Sequence, residues 1–153
     1  MNYWLVKSEP DAFSIDDLKN SKKKTTSWDG IRNYQARNFM RDDMRTGDQV
    51  LFYHSSCKEI GIVGLAEVVK ESYPDHTSWD PESKYFDPKS SEDKPRWFMV
   101  DIKWQKTFKE RLSLEEVKGT PSLAEIRLIQ KGGRLSVMPI EKKHFETILK
   151  ICQ

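Results

Sequence analysis

Four prolines, Pro74, Pro81, Pro88 and Pro95, interrupt one stretch of the chain among Asp, Ser and Lys residues. Each proline removes a backbone donor and fixes φ, so neither a helix nor a central strand continues through them. Residues 74–95 therefore read as one long surface loop, and loops of that length are more often functional or mobile than inert. What folds must be built from the segments on either side.

Before the loop, Tyr3-Trp4-Leu5-Val6 reads as a strand ended by the turn at Pro10, and Ser14 with Asp16 and Asp17 starts a short helix. From Asn33 to Arg45, Ala36, Phe39, Met40 and Met44 fall at helical spacing beside Arg37, Arg41 and Arg45, which predicts one amphipathic helix with a basic ridge. Val50–His54 and Ile60–Val69 predict two paired strands. After the loop, Phe98, Val100, Ile102 and Trp104 alternate with polar neighbours and give the clearest strand. Ser113 with Glu116 and Ser122 with Glu125 each match a capping box, with Pro121 between two short helical pieces. Gly132-Gly133 turns the chain into a strand at 134–138, and Pro139 precedes a closing helix with Phe145, Ile148 and Leu149 on its apolar face. No repeat or linker divides residues 1–153. Strands interrupted by short helices, without a strand and crossover-helix rhythm, predict a single α+β domain around a curved or barrel-like sheet.

Charge is uneven along this chain. Residues 19–45 carry eight basic side chains (Lys19, Lys22, Lys23, Lys24, Arg32, Arg37, Arg41, Arg45) against three acids, a local +5, whereas residues 71–101 carry eight acids against four bases, a local −4. The net charge of only +2 excludes a histone-like polycation, so any nucleic acid must be held by a local patch. The basic helix is read either as a phosphate-binding strip or as a solvated face. Mean hydropathy is −0.75 and no apolar run approaches the roughly 20 residues of a membrane span. Cys57 and Cys152 lie far apart, and Met1-Asn2-Tyr3-Trp4 has no secretory pattern, so the expected setting is cytoplasmic, or nuclear for a eukaryotic source.

Trp28, before Asp29-Gly30, sits where a turn is expected; its indole either stacks on a nucleobase or packs beneath a loop. Trp4, Trp97 and Trp104 fall in strand-like runs and read as core, while Trp79 is placed to rim a cleft. His54-Ser55-Ser56-Cys57 invites a nucleophile reading, but no Gly-x-Ser-x-Gly elbow or third partner accompanies it. Scattered histidines and cysteines give no metal spacing, Asp75, Asp80 and Asp87 read as turn initiators, and dispersed glycines form no phosphate cradle.

Six ordered strings then narrow the reading: WLVKSEP at 4–10, WDGIRNYQARN at 28–38, FYHS at 52–55, YFDPKS at 85–90, PRW at 95–97 and RLSV at 134–137. Nearly end to end, the chain resembles the EVE domain family of thymocyte nuclear protein-like sequences. The resemblance implies a PUA-like fold, a small curved β-barrel flanked by short helices, and kinship with YTH domains. It implies a non-enzymatic domain without a cofactor that recognises a modified base, 5-methylcytosine or an oxidised derivative or a modified RNA base, in an aromatic pocket. By motif match Lys7 and Ser8 border the pocket, Trp28 is the stacking wall and Asn33 a hydrogen-bonding partner. Tyr53 and Ser55 form the opposing wall, and Arg134 and Ser136 the mouth. The charge pattern adds Arg32, Arg37 and Arg41 as phosphate contacts. The chain departs from the family at Glu59-Ile60, where relatives often carry proline, at the unusually basic Lys22-Lys23-Lys24, and at His144-Phe145 in the last helix. Two other functions remain open: an enzyme or small-molecule sensor using His54 or Cys57 in the same cleft, and an adaptor working through the acidic loop.

Overall fold

The computed structural model describes residues 1–130 and 135–152. Strands β1 (Tyr3–Ser8), β2 (Thr25–Ser27), β3 (Gln49–His54), β4 (Gly61–Pro74), β5 (Phe98–Ser113) and β6 (Val137–Ile140) form one mixed sheet in the order β2-β5-β4-β3-β1-β6. Among the described residues only β1 and β3 run parallel, because the chain between them crosses over through two helices; the other neighbours are antiparallel. The sheet curves enough to bring side chains of separated strands together. Trp28, one residue past edge strand β2, packs edge to face on Phe52 of β3 at 5.5 Å between centroids, although β5 and β4 separate those strands in the sheet. Register shifts along β4 and β5 provide the bends, since each extra residue kinks and twists its strand.

Four short helices flank the sheet: α1 (Ile15–Asn20), α2 (Tyr34–Asn38), α3 (Leu114–Lys118) and α4 (Lys142–Cys152). Ser14 with Asp17 and Ser113 with Glu116 close the two-way caps of α1 and α3, which satisfy backbone N–H groups that a helix start leaves free. The Ser122 cap does not form. Pro121 occupies the first position of a single 3₁₀ turn, Pro121–Leu123, which places Ser122 inside the turn instead of before it.

The expected helix at 33–45 is shorter and changes pitch. After α2 the chain makes a π turn, Phe39–Asp43, in which the Met44 amide donates to the Phe39 carbonyl at 3.0 Å. An α-helix overshoots a four-residue repeat and a π turn undershoots it, so the combination keeps Ala36, Met40 and Met44 together in the core. Pro139 lies within β6 and not after it; an edge strand tolerates the missing donor on its outer side.

The proline-rich segment departs most from expectation. It is an ordered strap across one end of the sheet, closed where the Asp75 amide donates to the Trp97 carbonyl at 2.9 Å. Asp75, Ser78 and Ser90 are buried within it, the two serine hydroxyls 2.9 Å apart. Asp87 accepts the Trp97 indole N–H at 2.7 Å, and that bond holds its carboxyl below the usual range. Prolines stop helices and strands, but they do not stop side chains from building a hydrogen-bonded core.

Candidate functional site

The end of β1, the segment after β2 and the strap enclose a cleft of about 410 Å³, within the range of small-ligand sites. Gly30 sits at its corner with φ of +76°, and its amide donates to the Asp75 carboxylate at 2.9 Å. A Cβ at residue 30 would lie 2.7 Å from the Tyr85 ring. The aromatic wall thus rests directly on bare backbone, which only glycine permits here.

Arg32 fixes that wall from behind. Its guanidinium donates to the Tyr85 carbonyl at 2.7 and 2.9 Å, to the Ile31 carbonyl at 2.9 Å, to Asp75 at 3.1 Å and to Thr77 at 3.3 Å. It also lies between the Tyr85 and Trp97 rings, 5.7 and 5.5 Å from their centroids. Burial pushes the fully enclosed Asp75 carboxyl up, but hydrogen bonds from Thr77, Gly30 and Arg32 and the arginine charge outweigh it and hold the group below its usual range.

Inside the cleft the charges are less compensated. Lys7 is half-buried, 5.8 Å from the Tyr53 ring centroid, and among the described residues its ammonium has no ion pair or hydrogen-bond partner. Burial lowers its pKa. Asp29 also lines the cleft; burial, then the charge of Asp75, raises its pKa. A desolvated cation and a desolvated carboxyl in one cavity suit a ligand that offers both acceptors and donors.

Of the residues expected at the pocket, Lys7, Ser8, Trp28 and Ser136 line this cleft together. Trp28 is only 8% exposed, with Phe13 and Phe52 edge to face upon it, so it forms part of the packed wall and not an open platform. Tyr53 and Ser55 do not line the cleft. Tyr53 is buried in the core, and Ser55 uses its amide to donate to the Ser8 carbonyl at 2.9 Å. Asn33 is the N-cap of α2, its side chain accepting from the Ala36 amide at 3.0 Å, and it lies outside the lining as well. Arg134 lies outside the described residues. Phe13, Asp29 and Tyr85 line the cleft without having been singled out, although Asp29 and Tyr85 lie inside the WDG and YFDPKS strings that carried the resemblance.

The arginines expected to meet phosphate are engaged elsewhere. Arg32 is locked as described. Arg37 donates to Asn38 and to the Arg96 carbonyl, with its guanidinium 4.7 Å from Tyr34, which stacks on Trp97. Arg41 forms a two-pronged pair with Asp42 at 2.8 and 3.0 Å. His54 and Cys57 line a separate cavity of about 440 Å³, where the His54 Nε2 accepts the Ile15 amide at 3.1 Å. Neither belongs to the cleft, and burial lowers the His54 pKa.

Comparison with known proteins bears on this arrangement. Residues 2–151 match the EVE domain family. Thymocyte nuclear protein 1 of Mus musculus is 45% identical over 168 residues, covering 98% of this chain and 73% of the mouse protein. Human THYN1 in complex with 5-methylcytosine-containing DNA has a TM-score of 0.93 at 42% identity, covering 100% of this chain and 98% of that one. A protein of Pseudomonas syringae has a TM-score of 0.93 at 48% identity, covering 99% of both chains.

Proposed function

The chain belongs to the EVE domain family, and from that membership we propose that it is a non-enzymatic nucleic-acid-binding domain that holds a modified cytosine in the cleft beside Trp28. The observation that carries this reading is the convergence of Phe13, Trp28 and Tyr85 with Lys7 and Asp29 around one cavity of about 410 Å³. A base swung out of its stack needs apolar ring contact and a few directed polar groups on its edge. The Asp29 carboxylate accepts from the exocyclic amine of cytosine, while the Lys7 ammonium donates to the acceptors on the same edge.

A 5-methyl group adds one buried apolar carbon, about 0.8 kcal/mol, or roughly fourfold in affinity. An oxidised methyl that gains a hydrogen bond adds about 1 kcal/mol more. Binding rather than turnover is supported by the lining: the Ser8 hydroxyl donates to the Phe13 carbonyl, and His54 and Cys57 face another cavity. DNA is favoured over RNA because human THYN1 is seen with methylated DNA.

Titration of DNA and RNA oligomers carrying cytosine, 5-methylcytosine or 5-hydroxymethylcytosine, followed by tryptophan fluorescence and anisotropy, tests this. Tighter binding of the modified DNA is expected, abolished by Asp29→Ala. Equal affinity for all bases at every salt concentration would overturn it.

A further inference from the structure

The turn Lys22–Lys24 that leads into β2 has Lys23 and Lys24 in the left-handed region, with φ of 56° and 55°. Two consecutive side-chain-bearing residues in that conformation cost stability, so the turn is held by its surroundings. The Lys24 amide donates to the Ser21 carbonyl at 2.8 Å, and the Thr25 hydroxyl donates to the Lys23 carbonyl at 2.9 Å. The turn lies against Trp104 of β5. The Lys24 and Lys19 ammonium groups sit 4.8 and 5.2 Å from that ring's centroid, and Lys103, Lys23 and Lys24 border an open groove there.

Among the described residues, Lys19, Lys22, Lys23, Lys24 and Lys103 have no ion pair, and no hydrogen bond engages their ammonium groups. The contact with Trp104 orients two of these cations while leaving their N–H donors unused. Arg32 and Arg37 are the opposite case, with their forks committed to groups of the fold, and Arg41 is paired at the surface with its neighbour Asp42. The lysine turn is also continuous with the cleft. From it β2 runs through Thr25, Thr26 and Ser27 to Trp28, and residues 26–28 line the cavity. Three strand residues span about 10 Å, the axial rise of about three stacked nucleotides.

We propose that the Lys22–Lys24 turn, with Lys19, Lys103 and Trp104, forms a second nucleic-acid contact that grips the backbone phosphates of nucleotides flanking the base held in the cleft. The location rests on the reading of the cleft as a base site; the choice of a polyanion rests on the uncompensated ammonium groups alone.

The test compares wild type with K22Q/K23Q/K24Q, three exposed neutral replacements, and with K118Q/K142Q/K150Q, which removes the same charge from α3 and α4. Circular dichroism verifies that each variant is folded. Anisotropy between 50 and 300 mM NaCl is measured with a single-stranded 20-mer DNA carrying one central 5-methylcytosine, and with the trinucleotide at its centre. Each phosphate contact on a single strand contributes a salt slope of about 0.7, so the turn variant should flatten the 20-mer slope by about 2 and leave trinucleotide affinity within about twofold. The α3/α4 variant should keep the wild-type slope.

An unchanged slope in the turn variant, or an equal loss in the α3/α4 variant, overturns the proposal. So does a wild-type protein that binds anionic vesicles through this turn and none of the oligomers. If wild type does not distinguish modified from unmodified 20-mers while the turn variant still flattens the slope, base reading falls and the phosphate grip stands. The reverse pattern removes the grip alone.

Discussion

Two basic regions close in sequence meet opposite fates in this fold. Arg32, Arg37 and Arg41 are used within the protein, bracing the strap, the Tyr34–Trp97 stack and the Asp42 side chain. Lys22, Lys23 and Lys24 carry the same number of charges and leave their ammonium groups unpaired among the described residues. The difference follows from side-chain chemistry. A guanidinium offers five donors in a rigid plane and suits carbonyls and carboxylates fixed in loops, whereas a lysine ammonium on a flexible stem stays hydrated. Positive charge in a sequence is therefore not the same as positive charge available to a ligand.

The strongest challenge to that contrast is Asp75→Ala, which strips Arg32 and the Gly30 amide of their shared acceptor. Loss of a buried partner costs about 3–5 kcal/mol, and the partly exposed Arg32 places this pair near the lower end, about 3 kcal/mol by urea unfolding at pH 7. The pH dependence has a definite sign. The folded Asp75 pKa is depressed, so its contribution is fully present above the unfolded value near 3.9 and is lost as pH falls through the folded value. The variant should lack that acid-side loss; an identical acid limb in both proteins would mean that Arg32 is not locked by charge.

Gly30→Ala tests whether the locked region shapes the cleft. The added methyl at positive φ must displace Tyr85, and we expect at least tenfold weaker binding of a 5-methylcytosine oligomer with a stability loss of about 1 kcal/mol. Wild-type affinity would separate Tyr85 from the site.

Lys7→Gln addresses the unpaired charge within the cleft. Burial disfavours the Lys7 ammonium, so its charge opposes folding below the lowered pKa, and that opposition is relieved as pH rises from there to the ordinary lysine range. Oligomer affinity should therefore drop at a lower pH than an exposed lysine would dictate, and the variant, already about fivefold weaker at neutral pH, should show no such drop. The smallest effect belongs to Arg41→Gln. Its pair with Asp42 is exposed, so the melting temperature should stay within experimental error and the salt slope should shift by less than half that of a single lysine in the turn.

Much of this was legible from residue patterns. The β3 and β4 strands announced themselves by β-branched and aromatic runs, and the Ser14 and Ser113 helix starts by local capping chemistry that needs no distant partner. Lys7, Ser8, Trp28 and Ser136 were identified as cleft residues through the strings that contain them. Asn33, Tyr53 and Ser55 share those strings, yet a string holds packing and capping residues alongside cleft residues and does not mark which are which. The strap shows the same limit of local pattern: its turns start at Asp75, Asp80 and Asp87 as expected, but its interior does not follow from them. Pro74, Pro81, Pro88 and Pro95 describe what the backbone cannot do, and give no sign that Asp75, Ser78 and Ser90 build a buried polar core.

Residue order alone carries the family strings, the run of short elements, the Ser14 and Ser113 caps and the uneven distribution of charge, because these depend on neighbours a few residues away. Long-range packing settles which charges among the described residues stay unpaired, that Trp28 is a wall and Tyr85 its counterpart, and that His54 faces a different cavity from Lys7. Those outcomes depend on contacts such as Arg32 with Tyr85, made between two loops across 53 residues of chain, and no local pattern encodes such a meeting.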